Sequence, residues 1–161
     1  MHAEPTPQHK WLARLIGEWT YEHESSCDPS KSGEKITGTE IVRPLGELWV
    51  MAEGRGGVPG SGDIHECLMT LGYDPKKGRY VSTWIGSMAT YLWLCEGQLD
   101  AEQKVLTLET KGPDFSNPEK LVGYRDVIEI VDDNTRRMKS YIQGGDGTWK
   151  QFMTVHYRRT K

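Results

Sequence analysis

An alternating pattern begins at Gly17-Glu18-Trp19-Thr20-Tyr21-Glu22-His23-Glu24, where Trp, Tyr and His alternate with polar side chains. The same two-residue period returns in Leu106-Thr107-Leu108-Glu109 and again in residues 137–142. Successive side chains of a strand point to opposite faces of a sheet, so this period predicts strands with one buried and one solvated face. The chain after Gly17 is therefore expected to be all-β.

Short turn signals divide the remaining chain into strand-length segments. In Tyr73-Asp74-Pro75-Lys76-Lys77-Gly78, for example, Pro presets the first corner of a turn and Gly supplies a positive φ. Strands joined by such short connections pair with their neighbours, which predicts an antiparallel meander. The predicted strands are 17–26, 34–43, 47–55, 63–73, 78–86, 90–99, 104–111, 120–131, 135–143 and 148–159.

About ten strands in one open sheet would leave long unpaired edges, so the sheet must close or fold onto itself. Two packed sheets would be one solution. Pairing of the first strand with the long last strand is the other, and it removes the edges altogether. We expect the second: an up-and-down antiparallel β-barrel of lipocalin-like design over 17–159.

A short helix is predicted before the barrel. Apolar residues recur at helical spacing in Trp11–Ile16, Pro7 suits an early helical position, and Gly17 is a natural stop. The prediction is a helix over 7–16 after a loose lead-in over 1–8. The whole chain, 1–161, is expected to form a single domain.

Composition limits the partners and the compartment. The 161 residues carry a net charge of −3 without a basic cluster, so nucleic acid is not an expected partner. The apolar stretches fall far short of the ~20 residues of a membrane span, and the N-terminus does not resemble a signal peptide. Three cysteines without a CxxC pair do not suggest a disulfide framework. A cytoplasmic protein is therefore expected.

Several motifs together resemble the family catalogued as domain of unknown function (DUF) 1579. They include Gln8–Leu12, Gly17-Glu18-Trp19, Leu71–Pro75, Tyr80–Met88 and the closing stretch 146–159. The resemblance covers about residues 8–160 and implies a lipocalin-like (calycin) barrel, but it implies no particular reaction or ligand. This chain has Gly86 where family members often carry an acidic residue after the Trp-Ile pair.

Aromatic and thioether side chains on the predicted strands are candidates for the wall of a ligand cavity. Aromatic walls with a few polar groups are typical of small-molecule sites, and thioethers adapt to varied shapes. The same side chains could simply fill the core. The candidates are Trp49, Met51, Met69, Trp84, Met88, Tyr91, Trp93, Tyr124 and Met138.

Titratable residues within strands are candidates for chemistry. His23, His65 and His156 could each face inward, but their spacing does not match a metal motif, so no metal site is predicted. No cofactor is predicted either, although His156 on the last strand could in principle ligate haem. Asp126 should share the inner face with Tyr124 and is the leading carboxylate, either as a site residue or in a salt bridge with an arginine such as Arg43 or Arg55.

The Gly-rich stretch 54–62 precedes a strand and lacks the helix N-terminus of a phosphate cradle, so it is predicted to be a loop or lid at the barrel mouth. Three functions stay open. The first is a barrel that binds a small apolar or aromatic molecule. The second is an isomerase, cyclase or hydrolase that uses Asp126 or His156. The third is a homodimeric interaction module with Trp11 or Trp149 exposed.

Overall fold

The structure is a computed structural model that describes residues 1–25, 35–58 and 61–161. It begins with the helix α1, Pro7–Leu12, which continues as a 3₁₀ turn over Ala13–Leu15. Ten strands follow in the described residues: β1 Gly17–Ser25, β2 Lys35–Leu45, β3 Trp49–Gly57, β4 Ile64–Asp74, β5 Arg79–Gly86, β6 Trp93–Leu99, β7 Val105–Pro113, β8 Leu121–Asp132, β9 Thr135–Gln143 and β10 Trp149–Arg159.

The strands form a closed barrel in the order β1-β10-β9-β8-β7-β6-β5-β4-β3-β2. Each strand pairs antiparallel with its neighbours in sequence, and β1 pairs with β10 from Trp19↔Arg159 to Ser25↔Met153. The predicted all-β meander and its closure are confirmed. The predicted strand ends at residues 26 and 34 lie outside the described residues.

The helix covers one end of the barrel, which we call the helix end; the opposite end, where β1 stops and β6 starts, is the far end. Trp11 donates from its indole Nε1 to the carbonyl of Gln103 (2.7 Å), and the Tyr80 hydroxyl donates to the carbonyl of Gln8 (3.1 Å). Leu12 is 1% exposed. Such a short helix is held by this docking rather than by its own propensity.

His9 fixes the helix to the barrel through both ring nitrogens. Its Nδ1 accepts the backbone N–H of Thr6 (2.9 Å), so the proton belongs on Nε2, which donates to the carbonyl of Tyr73 (3.0 Å). The side chain is buried. One histidine thus caps the first turn of α1 and ties it to the end of β4.

Gly17 makes the change from helix to strand possible. Its φ is +146°, and a Cβ there would lie 2.5 Å from the carbonyl oxygen of Lys161. Both facts exclude a side chain at this position without a shift of the backbone. The Gly17-Glu18-Trp19 motif therefore has a structural role. Trp19 is 2% exposed at the helix end of the barrel, and we call this closed part of the barrel the floor.

Arg159 joins three separate segments at the helix end. Its guanidinium donates to the carbonyls of Arg14 (2.8 Å), Ile16 and Asp133 (2.8 Å), and it lies 4.2 Å from the ring centroid of Trp19. These bonds satisfy carbonyl groups at the end of the 3₁₀ turn and in the β8–β9 turn. The closing strand thereby holds both the floor and the helix in place.

A buried ion pair lies just inside the floor. Arg136 of β9 pairs with Glu40 of β2, and both side chains are almost fully buried. The Arg136 guanidinium also lies 3.8 Å from the ring centroid of Tyr157 and 4.6 Å from that of Trp19. Because a buried charge is costly without a partner, removing either residue alone should be far worse than removing both.

Two further sequence predictions are decided by the fold. Trp11, expected to be exposed in a homodimer, is 4% exposed and belongs to the core, because the helix turns this face onto the barrel. Trp149 does lie on the outer surface, with the Arg125 guanidinium 4.1 Å from its ring centroid. In the described part of the chain, no helix is both long and apolar enough to cross a membrane.

Replacement of Leu106 by Ala should destabilise the barrel by about 2–5 kcal/mol, because Leu106 is 0% exposed and its loss leaves a cavity. Leu94→Ala on the adjacent strand is the control: Leu94 is 62% exposed, so its replacement should change the free energy of unfolding by less than about 0.5 kcal/mol. Urea denaturation measures both. Equal effects would contradict the assigned inner and outer faces.

Candidate functional site

The barrel interior has two unlike halves. Near the helix end the inward side chains are sealed from solvent: Leu71, Tyr80, Leu106 and Leu108 are each at most 2% exposed. Towards the far end many inward side chains of the same strands are only half-buried, although Ile36 and Tyr124 are buried there. The half-buried inward residues are Tyr21, His23, His65, Cys67, Met69, Trp84, Trp93, Asp126, Met138 and Met153.

A side chain that points into a barrel and still keeps accessible surface borders space that other side chains do not fill, either inside the barrel or at its open end. We call the region lined by these residues the far-end chamber. Its wall combines aromatic rings and thioethers with a few polar groups, which is the composition of small-molecule sites. Four of the candidate lining residues are in this set, Met69, Trp84, Trp93 and Met138, and Tyr124 faces inward beside Trp93 but is buried.

Three of the candidate lining residues do not face the barrel interior. Trp49 and Met51 lie on the outer face of β3, because the inward positions of that strand are Val50, Ala52, Gly54 and Gly56. Both faces of β3 are partly apolar, so alternation alone did not fix its register. Met88 lies in the connection after β5 and is 66% exposed.

Aromatic rings form a continuous edge-to-face cluster at the far end. The centroid of Trp93 lies 4.9 Å from that of Tyr124 and 5.0 Å from that of Tyr91. Phe115 of the β7–β8 connection extends the cluster to Phe152, with centroids 5.2 Å apart. Tyr91, a candidate lining residue, donates its hydroxyl to the carbonyl of Lys111 and belongs to this aromatic cluster.

Glycines on β2 and β3 make room for side chains inside the chamber. A Cβ on Gly38 or Gly56 would overlap the Tyr21 ring, and one on Gly54 would lie 2.7 Å from Cys67 Sγ. Residues 54–57 lie in β3. The predicted strand 47–55 already included 54–55, so the prediction of a loop or lid is wrong for 56–57. Residues 59–60 lie outside the described residues.

His156, the histidine that the sequence analysis favoured for chemistry, does not face the barrel interior. His156 lies on the outer face of β10 opposite Glu22 and is exposed, so neither catalysis nor haem ligation inside the barrel can use it. With Lys35 and others it borders a surface depression of about 390 Å³. His156 points outward because Val155 and Tyr157 occupy the inner positions of β10.

His23 and His65 are the histidines that face the chamber. Burial, and secondly the positive charge that His65 can carry, lower the pKa of His23, so its ring is neutral near pH 7. Its Nδ1 is buried and has no partner among the described residues. The His65 ring lies beside Trp84, with centroids 6.0 Å apart. Sequence alone gave no basis for ranking these two above His156.

Asp126 faces inward as predicted, on the same face as the buried residues Tyr124, Ile128 and Ile130. Ser140 of β9 donates its hydroxyl to Asp126 Oδ1 (2.6 Å). Burial raises the pKa of the carboxyl, and the Ser140 hydrogen bond opposes this effect only in part. The carboxyl is therefore a perturbed acid within reach of the internal space.

The predicted salt bridge of Asp126 with Arg43 or Arg55 is wrong. Both arginines lie on the outer face, where Arg43 pairs with Glu53 and Arg55 pairs with Glu66 (3.0 Å). The inward ion pair is instead Glu40 with Arg136. Alternation within a strand gives no sign of this pairing, because the two residues are 96 positions apart in sequence.

Other polar groups of the interior carried no sequence signal. Ser82 is 4% exposed, and its hydroxyl oxygen has no partner among the described residues. Burial raises the pKa of the Cys95 thiol to about 11, and Asp126 adds to this shift. Both cysteines of the described part are free, and that part holds no group of three residues suited to a metal ion.

Gly38→Ala should destabilise the protein by about 1–3 kcal/mol, because the new methyl group would overlap Tyr21 and lie 2.5 Å from the carbonyl oxygen of Arg55. Gly57→Ala is the matched control on the next strand, since a Cβ there meets nothing within 4 Å. Thermal unfolding compares the two. A Gly38→Ala protein as stable as Gly57→Ala would contradict the proposed packing of Tyr21.

Asp126→Asn should alter the pH dependence of stability. A raised pKa means that the folded state binds the proton more tightly, so this carboxyl lowers stability as pH rises from the ordinary Asp range towards neutrality. The variant should therefore gain stability relative to the native protein over that rise. Denaturation at several pH values tests this, with Glu109→Gln as the control, because Glu109 lies on the outer surface.

Comparison with solved structures confirms the fold. Rv2717c from M. tuberculosis superposes with a TM-score of 0.68 and 11% identity, covering 98% of this chain and 100% of that chain. An S-type phycobiliprotein lyase, CPES, from Guillardia theta gives 0.61 and 12%, covering 98% and 99%. A de novo designed fluorescence-activating β-barrel gives 0.50 and 12%, covering 92% and 96%. At these identities the likeness concerns the fold alone.

No curated protein matches the sequence significantly. Residues 4–159 match the family described as "Protein of unknown function (DUF1579)". The match spans almost the whole chain and includes the helix, all ten strands and the residues of the far-end chamber. The chain therefore belongs to the DUF1579 family.

Proposed function

We propose that this protein binds a small, mostly apolar or aromatic molecule in the far-end chamber. The observation that carries the proposal is the contrast between the two halves of the interior. Side chains are sealed at the helix end, whereas those of the chamber keep accessible surface on the same strands. A fully packed barrel would show sealed side chains in both halves.

The chemistry of the wall supports this proposal. Trp84, Trp93 and Tyr124 offer flat apolar surface, and Met69 and Met138 can adapt to the shape of a guest. Three buried polar atoms of the interior, His23 Nδ1, Ser82 Oγ and Arg136 Nε, have no partner in the described part of the chain. Each is costly while it stays unsatisfied, so a water or ligand group that reached His23 on the chamber wall would be stabilised there.

A second candidate function is acid–base catalysis on a small substrate. It is favoured by Asp126, whose raised pKa brings it nearer to neutrality, and by His23, which is neutral near pH 7. A catalyst would lose turnover in Asp126→Asn while still binding its substrate. A binding protein would show no turnover in either form.

The expected setting and partners follow from the sequence. We keep the cytoplasm as the proposed location, and nucleic acid is not a proposed partner because the sequence has no basic cluster. A homodimer stays a prediction and would now depend on Trp149 rather than Trp11.

Trp84→Phe should weaken ligand binding and reduce ligand-induced quenching of tryptophan fluorescence, because Trp84 borders the chamber. Trp49→Phe is the matched control, since Trp49 packs on Gly72 at the outer face. The ligand comes from native mass spectrometry and thermal-shift screens of metabolites and lipids, and titration then compares the variants. A ligand that binds only the folded protein stabilises it by RT ln(1 + [L]/Kd), so the unfolding temperature should keep rising with ligand concentration.

Two outcomes would contradict the proposed site. One is a ligand whose binding responds equally to Trp84→Phe and Trp49→Phe, which would place it elsewhere. The other is a screen in which no compound raises the unfolding temperature, together with a crystal structure whose chamber is filled by side chains.

A further inference from the structure

The chamber wall carries one carboxylate without a counter-charge. Asp126 receives the Ser140 hydroxyl at Oδ1 (2.6 Å), and no donor in the described part of the chain reaches Oδ2. A carboxylate has room for about four hydrogen bonds, so most of its capacity is unused. Asp126 is half-buried on the inner face of β8, so the residue keeps accessible surface.

The neighbouring strands present no charge to Asp126. β7 places Leu108 and β9 places Ser140 directly opposite it. On β6, the Cys95 thiol is close enough to interact electrostatically with the carboxyl. On β10, the residue that pairs with Ser140 is the uncharged Met153.

Arg136 and Arg125 already pair with other carboxylates. Arg136 is paired with Glu40 and lies between Trp19 and Tyr157. The Arg125 side chain, next to Asp126 in sequence, lies on the outer face with Glu109 (2.9 Å). No Lys or Arg of the described ranges therefore pairs with Asp126.

We propose that the far-end chamber selects an aromatic ligand whose head group is a cationic nitrogen with N–H donors, and that Asp126 binds this head group. The proposal rests on the proposed function and names its ligand class. A primary ammonium or amidinium group supplies both the missing charge and the donors for Oδ2. Its aromatic body would lie against Trp84, Trp93 and Tyr124, whose ring faces also attract cations.

The raised pKa of Asp126 adds a consequence of definite sign. A bound ammonium group favours the ionised carboxyl and lowers its pKa. Binding of an amine below the free-state pKa must therefore release a proton, and amine affinity should fall as pH decreases through that value. A neutral ligand with the same ring should show no such trend.

The test uses three head groups on three ring bodies. Phenyl, 2-naphthyl and 1-pyrenyl compounds are each used as the methylamine, the methanol and the carboxylate, so that ring size and charge vary separately. Calorimetric titration of the native protein at pH 7 should show that the amine of the best-fitting ring binds about tenfold or more tightly than its alcohol, with the carboxylate weakest.

Asp126→Asn should remove the preference for the amine while keeping the alcohol, because Asn preserves the shape and can still accept the Ser140 hydroxyl. Glu109→Gln removes one negative charge from the outer surface and is the control that should keep the preference. If Asp126→Asn does not fold, titration of the native protein from pH 8 down to the ordinary range of Asp titration, in buffers of different ionisation enthalpy, gives the proton release independently.

The outcomes separate the two proposals. Binding without preference for the amine, or a preference that survives in folded Asp126→Asn, overturns the assignment of Asp126 but leaves a binding barrel. Amine affinity that does not fall as the pH decreases to the ordinary range of Asp titration overturns it as well. Failure of every ring body and head group to bind contradicts the proposed function itself, and the ligand class falls with it.

Discussion

Pairing of β1 with β10 is the constraint on which the rest of the structure depends. Without it both strands would present unpaired backbone groups, and the alternating inner face would have no closed interior to line. Closure also brings Trp19 beside Arg159 and Tyr21 beside Tyr157, which places the floor and the start of the chamber. The helix docks only because this floor exists. We call this β1–β10 pairing the seam. Both the closed barrel and the far-end chamber depend on it.

The seam also explains why the interior can be apolar at one end and partly polar at the other. At the floor, the guanidinium groups of Arg136 and Arg159 are occupied by Glu40, by carbonyl oxygens and by aromatic faces. Farther along the same strands, no cation of the described residues is left for Asp126. Glycines on β2 and β3 at that level make room for the side chains of Tyr21 and Cys67.

Most of the fold could be predicted because its signal is local. Alternation and turn chemistry gave all ten strands, and the matching lengths of the first and last strands gave closure. The site was harder, because a one-residue change of register exchanges inside for outside. For this reason Trp49, Met51 and His156 were candidates for the interior, although the structure places them on the outer face. Asp126, flanked by a clear apolar alternation, was assigned correctly. Gly56 was read as part of a loop because a glycine that makes room for Tyr21 and one that makes a turn look alike in sequence.

The contacts of Arg159 affect how the chain can fold during its synthesis. Its three carbonyl partners belong to segments up to 145 residues earlier, so they must wait until the last strand has left the ribosome. Until then β1 keeps an exposed edge, and the α1 helix lacks part of the surface on which it docks. A topology of this kind folds slowly, because distant segments must meet before any contact rewards them. Nascent chains stalled before β10 should be the form that chaperones and proteases recognise.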